Sequence, residues 1–299
     1  MTAFAALTIS IIIEGFPYIM LGAALSALLE VFVPAAALRR VAGHGGPLNI
    51  LVAALAGIVL PVCECGIVPV VARLRAKGVA NGPLLAYLFA APAVQPIVFY
   101  STLVAFNDNL AFAALRCAGS LVIAVGGALL LARALPPVAA ERAACGHDHA
   151  CGCAGHDEAA ALPPAWVRLI AVFVTDAVRI LAYLTVGAMA ATVLALLLPP
   201  ARVAALAGAW PLLAVPLGML LAFVLSVCSE ADAFVAYAMT GLTPLAQLAF
   251  LWFGPVADIK LAVMYSRVFG RQFTLRAFLT LAGLVLLLAL LLALAGVAR

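Results

Sequence analysis

Charge is scarce in this chain: 9% of its 299 residues are Asp, Glu, Lys or Arg, against 68% hydrophobic residues. With a mean hydropathy of +1.25, too little polar surface is left to cover a water-soluble globule. Alternation of apolar and polar residues on a period of two is also missing, which excludes a transmembrane barrel. No P-loop or other nucleotide-binding motif occurs, so ATP hydrolysis is not expected and the chain does not read as an enzyme. The Cys-x-x-Cys spacing of thiol oxidoreductases is absent, and an odd total of seven cysteines argues against a disulfide framework. The formal charge of +4 does not point to nucleic acid, because the basic residues stand in short groups at the ends of apolar runs.

What is present is a series of apolar runs at about 4–34, 48–72, 83–106, 111–135, 169–198, 204–238, 243–266 and 276–298. Helices are the expected spanning elements. The first run has no basic n-region and contains Glu14, Gly15 and Pro17, so it is expected to stay as a span rather than be cleaved as a signal peptide. Simple zigzag threading of all eight runs divides the flanking basic residues 7 to 6 between the two faces, which is no bias. The second and sixth runs are interrupted, by Pro61-Val62-Cys63-Glu64-Cys65-Gly66 and by Ser226-Val227-Cys228-Ser229-Glu230-Ala231-Asp232. If each enters the bilayer and returns on the same side, Arg39, Arg40, Arg73, Arg75, Lys77, Arg133, Arg142, Arg168, Arg267, Arg271 and Arg276 share the cytoplasmic face, with Arg202 and Arg299 outside. That distribution obeys the positive-inside rule and puts both termini outside.

The chain also repeats itself. Tyr18, Gly22, Pro34 and Cys63 recur 165 residues later as Tyr183, Gly187, Pro199 and Cys228. The fold class expected is therefore an all-α integral membrane protein of two halves, residues 1–135 and 166–299, joined by a linker over 136–165. Three spans and one re-entrant Cys-containing hairpin in each half make an odd count of crossings, so the second half is inverted relative to the first. The two hairpin tips should then meet inside the protein, where non-helical backbone is tolerated.

Cys63, Cys65 and, from the opposite half, Cys228 are the expected substrate ligands. Flanking Pro61 and Pro69 and the turn-permitting Gly66 predict that Cys63 and Cys65 project from a loop. Three sulfurs in a dry pocket suit a three-coordinate thiophilic centre such as trivalent arsenic or antimony, or a soft metal ion. Glu64, Glu230 and Asp232 beside them, and Asp258 further on, are intramembrane carboxylates and hence candidates for proton coupling. Gln95, in the proline-broken segment Pro92–Pro96, could line the substrate path, and Lys260 either neutralises Asp258 or takes a separate partner. Asp176 and Arg179, spaced i,i+3, are expected to form a structural ion pair, with Glu14 as a further partner. Cys117 reads as a small packing residue.

Together, Leu60–Pro69, the run Ala90-Ala91-Pro92-Ala93-Val94-Gln95-Pro96, Ser226–Phe234 and Phe253–Lys260 resemble the ArsP-type permease family over nearly the whole chain. The resemblance implies secondary efflux of trivalent arsenicals across a bacterial inner membrane, with the cysteines as arsenic ligands.

Within the linker, Cys145, His147, His149, Cys151, Cys153 and His156 lie among three carboxylates in 14 residues. Such density signals a flexible chelator of metal or metalloid, placed in the cytoplasm, rather than a folded zinc site. The function expected is a secondary-active efflux permease for trivalent arsenicals or a related thiophilic metalloid. Thiol deprotonation on binding would link cargo to protons. No cofactor is expected beyond a metal or metalloid on the linker. The expected partners are the arsenical or soft-metal substrate, the lipid bilayer and a second copy of the chain in a homo-oligomer. Alternatives are a zinc or copper exporter and a membrane thiol-redox protein.

Overall fold

The computed structural model describes residues 2–34, 46–60, 62–135, 164–197, 213–239 and 241–296; the six linker residues from Cys145 to His156 lie outside them. Every regular element among the described residues is a helix. The first six are α1 (Thr2–Phe32), α2 (Pro47–Val59), α3 (Glu64–Ala76), α4 (Asn81–Val94), α5 (Pro96–Ala105) and α6 (Leu110–Leu131). After the linker come α7 (Ala165–Leu197), α8 (Ala214–Leu225), α9 (Asp232–Ala238), α10 (Pro244–Phe253), α11 (Ile259–Val268) and α12 (Arg271–Leu294).

Among the described residues, five segments are long and apolar enough to cross a bilayer: Phe4–Phe32, Asn81–Ala105, Leu110–Leu131, Ala165–Leu194 and Arg271–Leu294. Side chains such as Leu130, Val178, Leu279 and Leu290 on these segments stand mostly exposed, as hydrocarbon-facing residues do. The chain is a multi-pass membrane protein. The run 243–266, expected as a sixth span, is instead divided between α10 and α11 by a turn from Gly254 to Asp258. Its counterpart in the first half breaks more mildly, at the single extended residue Gln95 (φ −67°, ψ 151°) between α4 and α5.

The long helices α1 and α7 cross antiparallel. Thr8 hydrogen-bonds Thr192 toward one end, Gly15 meets Leu184 between, and Ser26 donates to Asp176 at 2.7 Å toward the other. α2 runs alongside α4, with Ile50 against Gly82 and Gly57 against Ala91. α3 then turns back, so that its end returns to the end of α1, where the Lys77 ammonium caps the carbonyls of Leu29 and Glu30 in the last turn and of Val33 just beyond it. At this same end Asn81 donates to the carbonyls of Ala132 and Leu135, and Arg75 lies over the Phe269 ring at 5.7 Å. α8 and α9 approach from the opposite end: α9 finishes beside the α5–α6 turn, where Asn107 donates to the Tyr237 hydroxyl at 3.0 Å.

Among the described residues, contacts between the first six helices and the last six include α1 with α7, α6 with α12 and with α10, α3 with α11, and α5 with α9. Each of α3 and α11 also packs on the α1–α7 pair, whereas α5 and α9 make no comparable packing there. Two glycines set that closeness. A Cβ on Gly22 of α1 would stand 2.5 Å from the Gly66 Cα of α3, and one on Gly187 of α7 would stand 2.9 Å from the Lys260 Cα of α11. Gly66 thus serves close packing within a helix rather than the turn expected of it.

Overpacking against backbone cannot be relieved by a rotamer change. Gly22→Val should lower stability by about 1–3 kcal/mol or more, with Gly187→Val similar, and Gly46→Ala, which meets nothing within 4 Å, should leave it unchanged. Thermal melting of the detergent-solubilised protein measures all three.

Candidate functional site

Four interruptions of helical backbone converge. Cys63 is the N-cap of α3, with extended backbone, and its sulfur accepts the Gly66 N–H at 3.3 Å. Helix therefore resumes at Glu64, earlier than expected, and Cys65 sits in the first turn of α3 rather than in a loop; Pro69 is accommodated inside that helix. At the second interruption Ser226 closes α8 in the left-handed conformation (φ 48°, ψ 43°), a strained choice for a residue with a Cβ. Its hydroxyl accepts the Ile259 N–H at 3.2 Å, which ties this break to the start of α11. Asp258 is the N-cap of α11 and accepts the Leu261 N–H through Oδ1 at 2.6 Å.

The side chains of these breaks meet across the two halves. Ser229 donates to Glu64 Oε2 at 3.1 Å, a bond between residues 165 apart. Gln95 donates to Glu230 Oε1 at 2.7 Å. The Lys260 ammonium lies 3.6 Å from Glu64 Oε1 and 3.5 Å from Asp258 Oδ2. These two charges can face each other because Asp258 precedes the helix and is not two positions along it. Glu64, Asp258 and Lys260 are each buried to within 1% of full burial, and among the described residues Glu64 Oε1, Asp258 Oδ2 and Lys260 Nζ are held by these ion pairs with no shorter hydrogen bond. Cys65 follows Glu64 in the first turn of α3 and Cys228 directly precedes Ser229, so both buried thiols belong to the segments joined by the Ser229–Glu64 hydrogen bond.

Asp232 is held differently. Arg116 of α6, fully buried, grips both Asp232 oxygens at 2.7 and 2.8 Å, and donates to the Ser229 carbonyl at 3.0 Å and the Thr102 hydroxyl at 2.7 Å. This contact braces the turn that carries Cys228 and Ser229, with one guanidinium nitrogen meeting both Asp232 oxygens. Sequence reasoning missed Arg116, although an arginine inside the apolar run 111–135 is itself the signal of a buried partner. Trp252 of α10 locks the same helix, donating to the Arg116 carbonyl at 3.0 Å.

Other expectations fare unevenly. Cys63, Cys65, Cys117 and Cys228 are free thiols. Among the described residues no group of three His, Cys, Asp or Glu side chains is assembled to hold a metal ion. Cys63 turns its sulfur back onto its own helix, so the three cysteines share a region without forming a ready three-thiol centre. Asp176 pairs with Arg73, at 3.0 Å to each carboxylate oxygen, and with Ser26, in place of the expected Arg179, which is exposed. The physical reason is that α3 returns to the α1–α7 crossing and brings Arg73 with it. Glu30 lies 3.6 Å from both Arg73 and Lys77. Glu14, expected near Asp176, is exposed and lines a shallow surface depression with Ala6, Ile9, Ser10 and Ile13.

A family model described as "predicted permease" matches residues 1–295. The chain is 34% identical over 277 residues to a Streptococcus mutans protein named "Putative two-component membrane permease complex subunit", covering 91% of this chain and 88% of that one. It is 32% identical over 268 residues to the UPF0718 protein YcgR of Bacillus subtilis, covering 89% and 88%. No solved structure matches significantly.

Removing Arg116 strands a buried carboxylate. Arg116→Met should cost about 3–5 kcal/mol of stability, and the double variant Arg116→Met/Asp232→Leu should recover most of it, as read by thermal or denaturant unfolding of the purified protein.

Proposed function

The chain belongs to the ArsP_1 family of predicted permeases, and from that premise we propose that it is a secondary-active efflux permease for trivalent arsenicals or a related thiophilic metalloid. The observation that carries this reading is the buried Glu64–Lys260–Asp258 charge cluster where helix breaks of both halves meet, with the buried thiols Cys65 and Cys228 next in sequence to Glu64 and to its hydrogen-bond partner Ser229. Soft thiolate ligands select soft, thiophilic centres. An ion cluster this deep in an apolar protein is costly and marks a transport path. Cys65 and Cys228 take the cargo first, and Cys63 completes the set when cargo draws its sulfur off the Gly66 amide. Glu64, Glu230 and Asp258 are the proton-coupling carboxylates, with Gln95 positioning Glu230; Asp232 serves them by holding the turn.

Inverted halves with two re-entrant hairpins are part of this proposal. Support comes from the matched succession of six helices described on each side of the linker, and from the ends of α3 and α9, which lie at the end of α1 and at the α5–α6 turn respectively. Alternating access follows from the one-sided packing of the α1–α7 pair: it rests on α3 and α11, and leaning onto their counterparts α9 and α5 would open the site to the other end. Arg73–Asp176 closes the end rich in Arg and Lys, which we assign to the cytoplasm of a bacterial inner membrane. The Streptococcus mutans relative is named as a subunit of a two-component complex, so a second membrane subunit joins a second copy of this chain as a candidate partner. A soft-metal exporter is the second reading, favoured by the Cys/His-rich linker from Cys145 to His156.

Accumulation of arsenite, methylarsenite and zinc in everted membrane vesicles, with and without a proton gradient, tests the reading. Cys65→Ser and Cys228→Ser should each reduce accumulation of an arsenical by about tenfold or more, with Cys117→Ser unchanged. Thiol-independent accumulation would overturn the arsenical site, and accumulation of zinc alone would select the metal exporter.

A further inference from the structure

Two groups of ion pairs differ in what parting them would cost. Arg116 and Asp232 are enclosed, with side-chain exposures of 0% and 2%, and separating them would strand charge in an apolar interior. Arg73 and Lys77, in and just after the last turn of α3, keep 23% and 11% of their side chains exposed, and Glu30 beside them 31%. Charges so placed at a helix end gain water when they part. Asp176 is the most enclosed member at 7%, and it keeps the Ser26 hydroxyl as a donor if Arg73 leaves.

The partners of this second group all lie on one side. Arg73 grips Asp176 of α7 through two nitrogens and donates to Ser26 of α1. Lys77 donates to the carbonyls of Leu29, Glu30 and Val33, and both cations meet the Glu30 carboxylate at 3.6 Å. Among the described residues, two cations on α3 thus hold the α1–α7 pair, which must lean away from α3 for the site to open at this end. The repeat supplies no match at the other end. At the spacing of 165, Arg73, Lys77, Ser26, Glu30 and Asp176 correspond to Ala238, Leu242, Ala191, Ala195 and Ile11, all apolar. At that end Thr8 bonds Thr192 and Asn107 bonds Tyr237, neutral group to neutral group. Repeated halves would give the two leaning positions of α1–α7 similar energies, and charges at one end only remove that equivalence.

We propose that Arg73 and Lys77 form a one-ended latch on the α1–α7 pair, which holds the cargo-free protein shut at its Arg- and Lys-rich end and breaks when the site opens there. The latch rests on the alternating access proposed above, and adds to it a resting state and the residues that set it. A two-nitrogen arginine–carboxylate contact is geometrically demanding, so a small tilt of α7 away from α3 loses it. Lys77 releases the end of α1 in the same motion, because α1 and α7 move as a pair.

The test records how fast Cys63, Cys65 and Cys228 react with a membrane-impermeant maleimide in cargo-free vesicles, everted and right-side-out, holding the full-length protein. Peptide mass spectrometry resolves each cysteine. In everted vesicles, which present the cytoplasmic face, the wild-type thiols should react slowly. Arg73→Gln and Asp176→Asn should each raise that rate by about tenfold, and the swapped pair Arg73→Asp/Asp176→Arg should restore part of the shielding. Arg179→Gln, at an exposed position of α7, should match wild type. Rates unchanged in both single variants would overturn the latch. Rates raised equally in both vesicle orientations would also overturn it, since the fold would then have loosened without opening at one end. Wild-type thiols equally reactive from both faces would overturn alternating access and the latch together. Arsenical accumulation in the same everted vesicles keeps the cargo separate: none in wild type, with the thiols still uncovered by the single variants, removes the arsenical and leaves the latch standing.

Discussion

A lysine with no exposed surface, placed between two carboxylates, is the constraint on which the centre of this protein depends. Lys260 lies 3.6 Å from Glu64 on α3 and 3.5 Å from Asp258 at the head of α11. In an apolar interior an unpaired ammonium or carboxylate costs far more than it does in water, so the three groups must stay together. Keeping them together forces the first turn of α3, from one half, against the first turn of α11, from the other. Ser229, donating to the second oxygen of Glu64, extends the same tie to the turn after α8. The breaks in the helices are consequences of this arrangement as much as causes of it, because backbone freed from helical pairing is tolerable only where other polar groups stand ready.

A second ion pair makes the first one possible. Arg116 spends its guanidinium on Asp232, the Ser229 carbonyl and Thr102, and so turns a short stretch without helix into a rigid ledge. Ser226 in the left-handed region and the bond from Ile259 to its hydroxyl complete that ledge. The division of labour among the carboxylates follows. Asp232 receives one guanidinium nitrogen of Arg116 on both of its oxygens, whereas Glu64 Oε1 and Asp258 Oδ2 meet only the Lys260 ammonium, at 3.6 and 3.5 Å, among the described residues. Carboxylates equivalent in sequence terms thus have unlike capacities to bind, and burial does not separate them, since all three are buried. Only the count of hydrogen bonds does.

The legibility of these features differed with the range of the interaction. Helices, the apolar runs and the interruptions at Cys63–Gly66 and Ser226–Asp232 depend on local composition, and they could be read directly. Glu64, Gln95, Glu230 and Asp258 could be singled out because a polar residue in an apolar run is conspicuous whatever it touches. What those residues touch was not legible. Helical spacing pairs Asp176 with Arg179, yet α3 delivers Arg73 to it from a distant part of the chain. The flanking prolines place Cys65 in a loop, yet the Cys63 sulfur caps the helix and lets it begin sooner.

By itself, the sequence determined that this chain lives in a membrane, that it is helical, that its two parts echo one another at a spacing of 165, and which polar residues are buried with the cysteines. Those properties follow from hydropathy and periodicity, which are sums over neighbours along the chain. The tertiary structure alone decided that Glu64 meets Ser229 and Lys260, that Arg116 immobilises Asp232, and that the α1–α7 pair rests on α3 and α11 rather than on α9 and α5. Ion pairs and close glycine contacts act over a few ångströms between segments far apart in sequence, so their partners are chosen by packing.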